Sequence, residues 1–398
     1  MVIYFDNAAT TAVKPEVLEA MLPFFKDCYG NPSSIFYSKG REAGEEVAKA
    51  RKTIAGCLGC KDTEIFFTSC GSEADNWAIK GIAQAYKSRG KNKIITSQIE
   101  HHAVINTCKF LEKNGFEVVY LPVDEYGTVS ADALREAVDD KTALVSVMYA
   151  NNEIGTIEPI EELCKIAHEA GALFHTDAVQ AVGAVPIDVK KLGVDMLSLS
   201  GHKFHAPKGI GALYVRTGIR PENLIHGGMQ EKGRRAGTEN TAYIVGLAKA
   251  LEIAVSTMEE KTARVTAIRD KIIKGITETI PYVNLNGHPQ NRLPGNVNFS
   301  FKYIEGESLL LWLDINGIAV SSGSACASDS LDPSHVLLAT GLPHEIAHGS
   351  LRISIGDENT EEEADKLLEV LPGIVQRLRE MSPLSVQRSR FLWYTQRK

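Results

Sequence analysis

The stretch "DMLSLSGHKFHAPKGIGALYV", residues 195–215, contains two short apolar segments joined by a polar, glycine-rich connection. The segments "DMLSLS" (195–200) and "GALYV" (211–215) have the length and composition of buried β-strands. Ser200, His202 and Lys203 stand where the first segment ends. Reactive side chains at the end of a strand are typical of α/β sheets, which bind ligands at the carboxyl ends of their strands.

Five further apolar segments precede this stretch and alternate with amphipathic helical patterns. They are "EIFFT" (64–68), "KIITS" (93–97), "EVVYL" (117–121), "ALVSVMYA" (143–150) and "ALFHT" (172–176). One of the intervening helical patterns, "PIEELCKIAHEAG", begins with proline and ends with glycine, as helices prefer. The alternation predicts an α/β fold with a mostly parallel seven-stranded sheet covered by helices on both faces.

The pattern changes near residue 241. A long helical stretch follows, and after it come "NVNFSF", a helix near 306–316, "LRISIG" and a final helix from about 360. These elements predict a smaller α+β domain. We assign residues 15–255 to the large domain, and residues 1–14 together with 256–398 to the small domain.

The composition is that of an ordinary globular protein, with 44% hydrophobic and 23% charged residues in 398. The formal net charge of −7 argues against direct binding to nucleic acid. No stretch approaches the roughly 18 apolar residues of a membrane helix, and the N-terminus lacks a basic region followed by an apolar run. We therefore expect a cytoplasmic protein without membrane contact.

Seven cysteines are scattered along the chain, which is not typical of a disulfide framework, so reduced thiols are expected. Cys57 and Cys60 form one "CLGC" pair, but neither a second pair nor a nearby histidine completes a four-ligand zinc site. His101 and His102 are adjacent and point in different directions. No metal site is predicted.

Polar residues also follow the other predicted strands. "FFTSCGSEADN" indicates a strand, a loop of small residues and a helix, so that the backbone at Gly71 and the hydroxyl of Ser72 would bind an anion. The alternative is an ordinary serine cap. Asp177 follows "ALFHT", with Gln180 three residues later, and a buried aspartate there requires a cation or donors. A carboxylate, a lysine and a phosphate cradle together meet the requirements of pyridoxal phosphate.

At this point the sequence resembles the cysteine desulfurases of the NifS and IscS type, within the class V aminotransferase family of fold type I pyridoxal-phosphate enzymes. The resemblance covers essentially the whole chain. The matching motifs, in order, are "YFDNAATT" (4–11), "GNPSS" (30–34), "EHHAV" (100–104), "NNEIGT" (151–156), "DAVQAVG" (177–183), "SGHKFHAPKGIGALYV" (200–215), "GRRAGTEN" (233–240), "SSGSACAS" (321–328) and "LRISIG" (351–356).

The resemblance implies a role for each matched position around the cofactor ring. Lys203 would carry the cofactor as an imine, and Asp177 would keep its pyridine nitrogen protonated. His101 would stack on the ring and move protons. Asn152 and Gln180 would contact the phenolic oxygen.

The resemblance also implies how the cofactor's phosphate would be held. Gly71, Ser72, Ser200 and His202 would bind it from the same subunit. Thr238 would reach it from the neighbouring subunit of a homodimer.

For the substrate, L-cysteine, the resemblance points to two further residues. Arg352 would bind the α-carboxylate together with Asn152, because a guanidinium matches a carboxylate bidentately; an arginine facing water is the alternative. Cys326 would accept the sulfur as a persulfide. A free thiol is mostly protonated at neutral pH, so a base must take its proton, and His101 is the candidate.

Three functions are compatible with these motifs. The first is a cysteine desulfurase supplying sulfur to an acceptor protein of iron–sulfur cluster assembly or tRNA thiolation. The second is another pyridoxal-phosphate aminotransferase or lyase, such as a selenocysteine lyase, and the third is a non-catalytic scaffold. Cys326 favours the first over the second, and the presence of Lys203 and Asp177 argues against the third. Cys70, His205 and the tail "PLSVQRSRFLWYTQRK" depart from the family pattern.

Overall fold

The computed structural model describes residues 2–322 and 332–382. In these ranges the strands are β1 Ile3–Tyr4, β2 Ile65–Thr68, β3 Lys93–Ser97, β4 Glu117–Leu121, β5 Thr142–Ser146, β6 Leu173–Asp177, β7 Met196–Ser200, β8 Gly211–Val215, β9 Val283–Leu285, β10 Asn296–Phe301, β11 Ile318–Ala319 and β12 Ser350–Ser354.

The helices of the same ranges surround these strands. They are α1 Pro15–Met21, α2 Pro23–Lys26, α3 Ser38–Leu58, α4 Gly71–Lys87, α5 His102–Lys113, α6 Ala131–Ala137, α7 Ile160–Glu169, α8 Val189–Leu192, α9 Gln230–Gly233, α10 Thr241–Ser256, α11 Met258–Thr279, α12 Gly306–Ile315, α13 His335–Ala339, α14 His344–Ala347 and α15 Glu361–Met381.

The seven strands predicted for the large sheet all form, in the order β2-β8-β7-β6-β5-β3-β4. Four neighbouring pairs are parallel, and β8 is antiparallel to both β7 and β2. The predicted α/β fold with a mostly parallel sheet is therefore confirmed. The boundaries agree to within one residue except at β5, which ends at Ser146 rather than at residue 150. Beyond it the chain still follows β6, with Tyr149 N donating to Asp177 O at 2.8 Å.

Helices cover both faces of this sheet, as the alternation of side chains along each strand requires. On one face Ile94, Leu144 and Met196 pack with Trp77 of α4. On the other face alternate residues of the same strands join a cluster that includes Ile54 of α3. Both faces of the sheet are therefore buried.

A third cluster surrounds the small sheet, in which β10 lies between β9 and β12. Residues of α11 and α15 pack on it. Phe5, from the N-terminal segment, is fully buried in the same cluster. The N-terminus thus packs with the last third of the chain, and the segment after Phe5 runs past the carboxyl end of the large sheet.

Within residues 2–322 and 332–382, no single helix is long and apolar enough to span a membrane. The helices α10 and α11 meet the length and composition criterion only as a pair, and they are bent by 71° at their junction.

Candidate active site

The first side of the site, which we call the sheet wall, consists of His101, Asp177 and Lys203. His101 follows β3, Asp177 ends β6, and Lys203 follows β7. These strands are parallel members of one sheet, so their carboxyl ends lie at the same edge. Three residues separated by up to 102 positions in the sequence are thereby brought together.

Asp177 is a buried carboxylate with a single backbone partner in the described part of the chain. Its Oδ1 accepts a hydrogen bond from Val179 N at 2.9 Å. Burial raises the pKa of this carboxyl, and the charges of His101 and Lys203 oppose that rise. A buried carboxylate facing two basic groups suits a site that must hold a cationic ring.

His101 caps the start of α5. Its Nδ1 accepts a hydrogen bond from Ala103 N at 3.1 Å, so the neutral ring carries its proton on Nε2. Burial lowers the pKa of the imidazole; Asp177 acts against this change, whereas Lys203 adds to it. His101 is thus both a helix cap and a base that stays neutral more readily than an exposed histidine.

Lys203 and Gln180 converge on the N-terminal segment. Lys203 Nζ donates to the carbonyl oxygens of Ala8 and Ala9 at 2.7 and 2.8 Å. Gln180 Nε2 donates to Ala8 O at 2.9 Å. A cavity of about 110 Å³ runs beside them, and Asn152 is among its lining residues. The structure therefore brings together the lysine and both amides that the sequence assigned to the cofactor ring.

The predicted phosphate cradle lies at the start of α4. Among the described residues no side chain caps this helix, so its first amides are available to an anion. A Cβ at Gly71 would lie 2.6 Å from Val179 Cγ2 and 3.4 Å from Ser200 Cβ, which explains the glycine and places Ser200 next to it. Ser72 is exposed in the first turn.

Two other residues predicted to contact the phosphate lie in different surroundings. His202 Nδ1 is 3.2 Å from Thr10 Oγ1, and burial together with Lys203 and Lys208 lowers the pKa of its ring to about 4. Thr238 is exposed, in the loop that follows α9. No described residue of this site contacts Thr238 through a hydrogen bond.

The second side of the site, which we call the cleft wall, consists of Arg352, Asp6, Asn152 and Glu153. Arg352 lies in the middle of β12 and is 3% exposed, so the alternative of an arginine facing water does not hold. Its Nη2 donates to Asp6 Oδ1 at 2.9 Å, and its Nη1 donates to Asn152 O at 3.1 Å. Its Nε is buried and has no hydrogen-bond partner among the described residues. A spare N–H on a buried guanidinium is suited to an incoming carboxylate.

Sequence reasoning missed three buried carboxyls near the site: Asp75, Glu100 and Glu153. Burial raises the pKa of Glu100 to about 8 and that of Glu153 to about 7, and it raises the pKa of Asp75 well above its ordinary value. The burial of Asp75 could have been predicted from the sequence, because this residue stands among apolar residues on the buried face of α4. Glu153 had a weaker one, because it lies inside the motif "NNEIGT".

Cys326, the residue to which the sequence assigns the sulfur, lies outside the described residues. The chain is described again from Asp332. Ser334 caps α13 and donates a hydrogen bond from Oγ to Glu153 Oε2. His335 Nε2 is 3.0 Å from Glu100 O.

The comparison with protein families agrees with this geometry. A profile described as "Aminotransferase class-V" matches residues 3–367. The chain belongs to the class-V aminotransferase family. Within this family it is 58% identical over 390 residues to "Cysteine desulfurase IscS" of Methanosarcina thermophila, covering 98% of this chain and 96% of the relative. It is 59% identical over 384 residues to the protein of that name from Clostridium botulinum, covering 96% of each.

Solved structures of family members have the same fold. A structure named "NifS-like protein" is 43% identical, has a TM-score of 0.89, and aligns with 95% of this chain and all of its own. A structure named "SspA in complex with cysteine" is 40% identical, has a TM-score of 0.80, and aligns with 90% of this chain and all of its own. The resemblance to NifS- and IscS-type cysteine desulfurases is confirmed.

Proposed function

We propose that the protein is a cysteine desulfurase that uses pyridoxal phosphate to transfer the sulfur of L-cysteine to Cys326. The observation that carries this proposal is the position of Arg352 relative to Lys203. Arg352 bonds Asp6, and Lys203 bonds Ala8 and Ala9, so both basic groups reach the same short segment. A carboxylate held by Arg352 would thus lie near the amine that the cofactor requires.

The residues present fit pyridoxal phosphate. Asp177 offers a buried carboxylate for the ring nitrogen, and Lys203 offers an amine beside it. The uncapped start of α4 at Gly71 offers backbone donors for a phosphate. When bound, the cofactor would supply an electron sink for the bonds broken at the substrate's carbons.

The protein's own residues would then perform the remaining steps. Arg352 and Asn152 would orient the substrate's carboxylate, and Lys203 would move a proton at the α-carbon. The neutral ring of His101 holds its proton on Nε2, because Nδ1 accepts from Ala103 N. It would therefore donate a proton from Nε2, and it would accept the thiol proton of the substrate or of Cys326 at Nδ1 once the bond to Ala103 N is released. The net reaction is balanced: L-cysteine and a Cys326 thiol give L-alanine and a Cys326 persulfide.

A homodimer would complete the site. Tyr29 and Phe36 are 68% and 92% exposed, and Met229 is 80% exposed near Thr238. Large apolar side chains with such exposure are typical of a surface that another chain covers. A closed two-fold pair would contribute Thr238 reciprocally to the two phosphate sites.

We propose the remaining properties on the same basis. The enzyme would work in the cytoplasm and deliver the persulfide sulfur to an acceptor protein of iron–sulfur cluster assembly or tRNA thiolation. The relatives named cysteine desulfurase support the sulfur-transfer activity on which this assignment depends.

The test is to incubate the purified protein with L-cysteine and quantify L-alanine together with protein-bound sulfane sulfur. Equal amounts are expected in the first turnover, with the added sulfur on Cys326 by mass spectrometry. Cys326→Ser should retain the cofactor's absorbance and lose persulfide formation. Cys70→Ser is the matched control and should retain both. Sulfur found on Cys70, or full activity in Cys326→Ser, would disprove the assignment.

The dimer is tested by sizing at micromolar concentration, which should give twice the mass of the chain. Phe36→Glu should shift the protein towards the monomer because it places a charge in the proposed interface. Leu311→Glu is the control, since Leu311 is also an exposed apolar residue but lies on α12 of the predicted small domain. An active wild-type monomer would contradict the proposal.

A further inference from the structure

Glu153 is a buried residue in the loop that carries Asn152, and both its carboxyl and its backbone carbonyl accept hydrogen bonds from polar side chains. Its Oε2 accepts a hydrogen bond from Ser334 Oγ. Its backbone carbonyl accepts from the side chains of Asn296 and Asn298 at 3.0 and 2.9 Å. Only 5% of the residue is exposed. The carboxyl is therefore held by Ser334, and the backbone of the same residue is held by β10.

Among the described residues, Arg352 is the charged residue whose charge changes the pKa of Glu153. It contacts the same loop directly, through the bond from its Nη1 to Asn152 O. Burial raises the pKa of Glu153, the bond from Ser334 and the charge of Arg352 oppose that rise, and the resulting pKa is about 7. Asp6 faces Arg352 from the opposite side and already neutralises part of that charge.

An anion bound at Arg352 removes the charge that favours the ionised form of Glu153. Two negative groups near one guanidinium also repel each other, and burial keeps this repulsion strong. We propose that Glu153 takes up a proton from solvent when a carboxylate binds to Arg352, and that this proton weakens its hydrogen bond to Ser334. The inference rests on the proposed function insofar as Arg352 is the carboxylate site.

The bond to Ser334 is the point at which this change would reach the rest of the molecule. Ser334 Oγ also accepts from Val336 N and Leu337 N at 3.1 and 3.3 Å, which fixes the start of α13. A neutral acid accepts a hydrogen bond from a hydroxyl less strongly than a carboxylate does. Glu153 is thus a positioning residue, which links substrate binding to the segment directly after residues 323–331.

The test uses propionate, which has a carboxylate but no amine to react with the cofactor, and propionamide as its uncharged counterpart. Binding to the cofactor-loaded enzyme is measured by calorimetry in buffers of different ionisation enthalpy, which reports the protons taken up. A rise of one pKa unit in Glu153 gives an uptake of about half a proton per site near pH 7.5. Propionamide should produce no uptake.

Glu153→Gln should still bind propionate and should take up no proton. Glu158→Gln is the matched control, because Glu158 is a second buried carboxyl, 3% exposed, whose pKa burial raises to about 8. It bonds Val129 N at 2.9 Å instead of a group near Arg352, so its variant should keep the wild-type uptake.

Ser334→Ala provides an independent measurement. Loss of the hydroxyl donor raises the proton affinity of Glu153 before any ligand binds, so the pH of maximal uptake should move upwards. Wild type that binds propionate without proton uptake, or Glu153→Gln that retains the uptake, overturns the inference. Undiminished propionate binding by Arg352→Gln would instead overturn the carboxylate site of the proposed function.

Discussion

The sheet wall and the cleft wall of the site are built in different ways. His101, Asp177 and Lys203 of the sheet wall are placed by the carboxyl ends of parallel strands in one sheet. Arg352 of the cleft wall is placed by side-chain bonds to Asp6 and Asn152, which are 346 and 200 residues away in the chain. The first arrangement follows from a repeating backbone pattern, and the second depends on contacts that only the folded chain creates.

The N-terminal segment connects the two walls. Asp6 bonds Arg352 of the cleft wall, and the carbonyls of Ala8 and Ala9 bond Lys203 of the sheet wall. The two walls are nevertheless proposed to hold different groups, so a change in each wall should affect a different part of the reaction. Changes in the sheet wall should affect the cofactor, and changes in the cleft wall should affect the substrate.

The largest effect is expected from Lys203→Ala. Without the amine the enzyme would hold the cofactor without a covalent bond, and turnover should fall by about 10³-fold or more. The absorbance spectrum after dialysis and the rate of L-alanine formation measure both effects. Lys191→Ala, at an exposed lysine of α8, is the control and should match wild type in both. Retention of the covalent absorbance in Lys203→Ala would refute the role of the sheet wall.

Arg352→Lys should affect the cleft wall alone. The charge remains, but the planar fork that bonds Asp6 and Asn152 is lost, and a lysine does not replace a bidentate guanidinium. We expect the KM for L-cysteine to rise about 10- to 100-fold, with the cofactor spectrum unchanged. A change of spectrum with an unchanged KM would show that the two walls are not separable in this way.

The sheet wall was predictable from the sequence because strand ends are visible in it. "KIITS", "ALFHT" and "DMLSLS" match β3, β6 and β7 to within one residue at each end. These strands are parallel, so the polar residues at their carboxyl ends had to meet at one edge. Much of the cleft wall was not predictable. Arg352 could be recognised from its motif, but the pairing with Asp6 and the burial of Glu153 depend on packing between distant segments, which has no periodic signal.

Asp357→Asn should show how the two walls are held together. Asp357 follows β12, and it bonds Lys14 Nζ at 2.7 Å and lies 3.4 Å from His205 Nε2 and 3.7 Å from Lys261 Nζ. His205, for which the sequence suggested no use, thus joins the large sheet to the last third of the chain. We expect the variant to lose about 1–2 kcal/mol of unfolding free energy at neutral pH, measured by denaturant titration.

The pH dependence of this loss has a defined sign. Burial raises the pKa of Asp357, but its bond with His205 and the charge of Lys261 outweigh burial. The pKa of this carboxyl therefore lies well below its ordinary value. A carboxyl with a depressed folded-state pKa contributes stability that is present above about pH 4 and is lost as the pH falls. The difference between wild type and Asp357→Asn should therefore shrink below pH 4. A difference that grows on acidification would contradict the ion-pair origin.

The smallest effect, and the sharpest comparison within the cleft wall, is expected from Asp6→Asn. The asparagine oxygen can still accept the hydrogen bond from Arg352 Nη2, so the guanidinium keeps its orientation, but the competing negative charge is gone. Because Asp6 is partly exposed and its charge is screened by solvent, the gain in carboxylate binding should be only about 2- to 5-fold. The inhibition constant of propionate should fall by that factor, with the cofactor spectrum unchanged.

Asp6→Ala removes both the charge and the acceptor, so it should lose this gain because the guanidinium is no longer held. If Asp6→Asn instead weakens propionate binding as much as Asp6→Ala does, Asp6 serves the cleft wall through its charge, and the competition between Asp6 and the substrate carboxylate is ruled out.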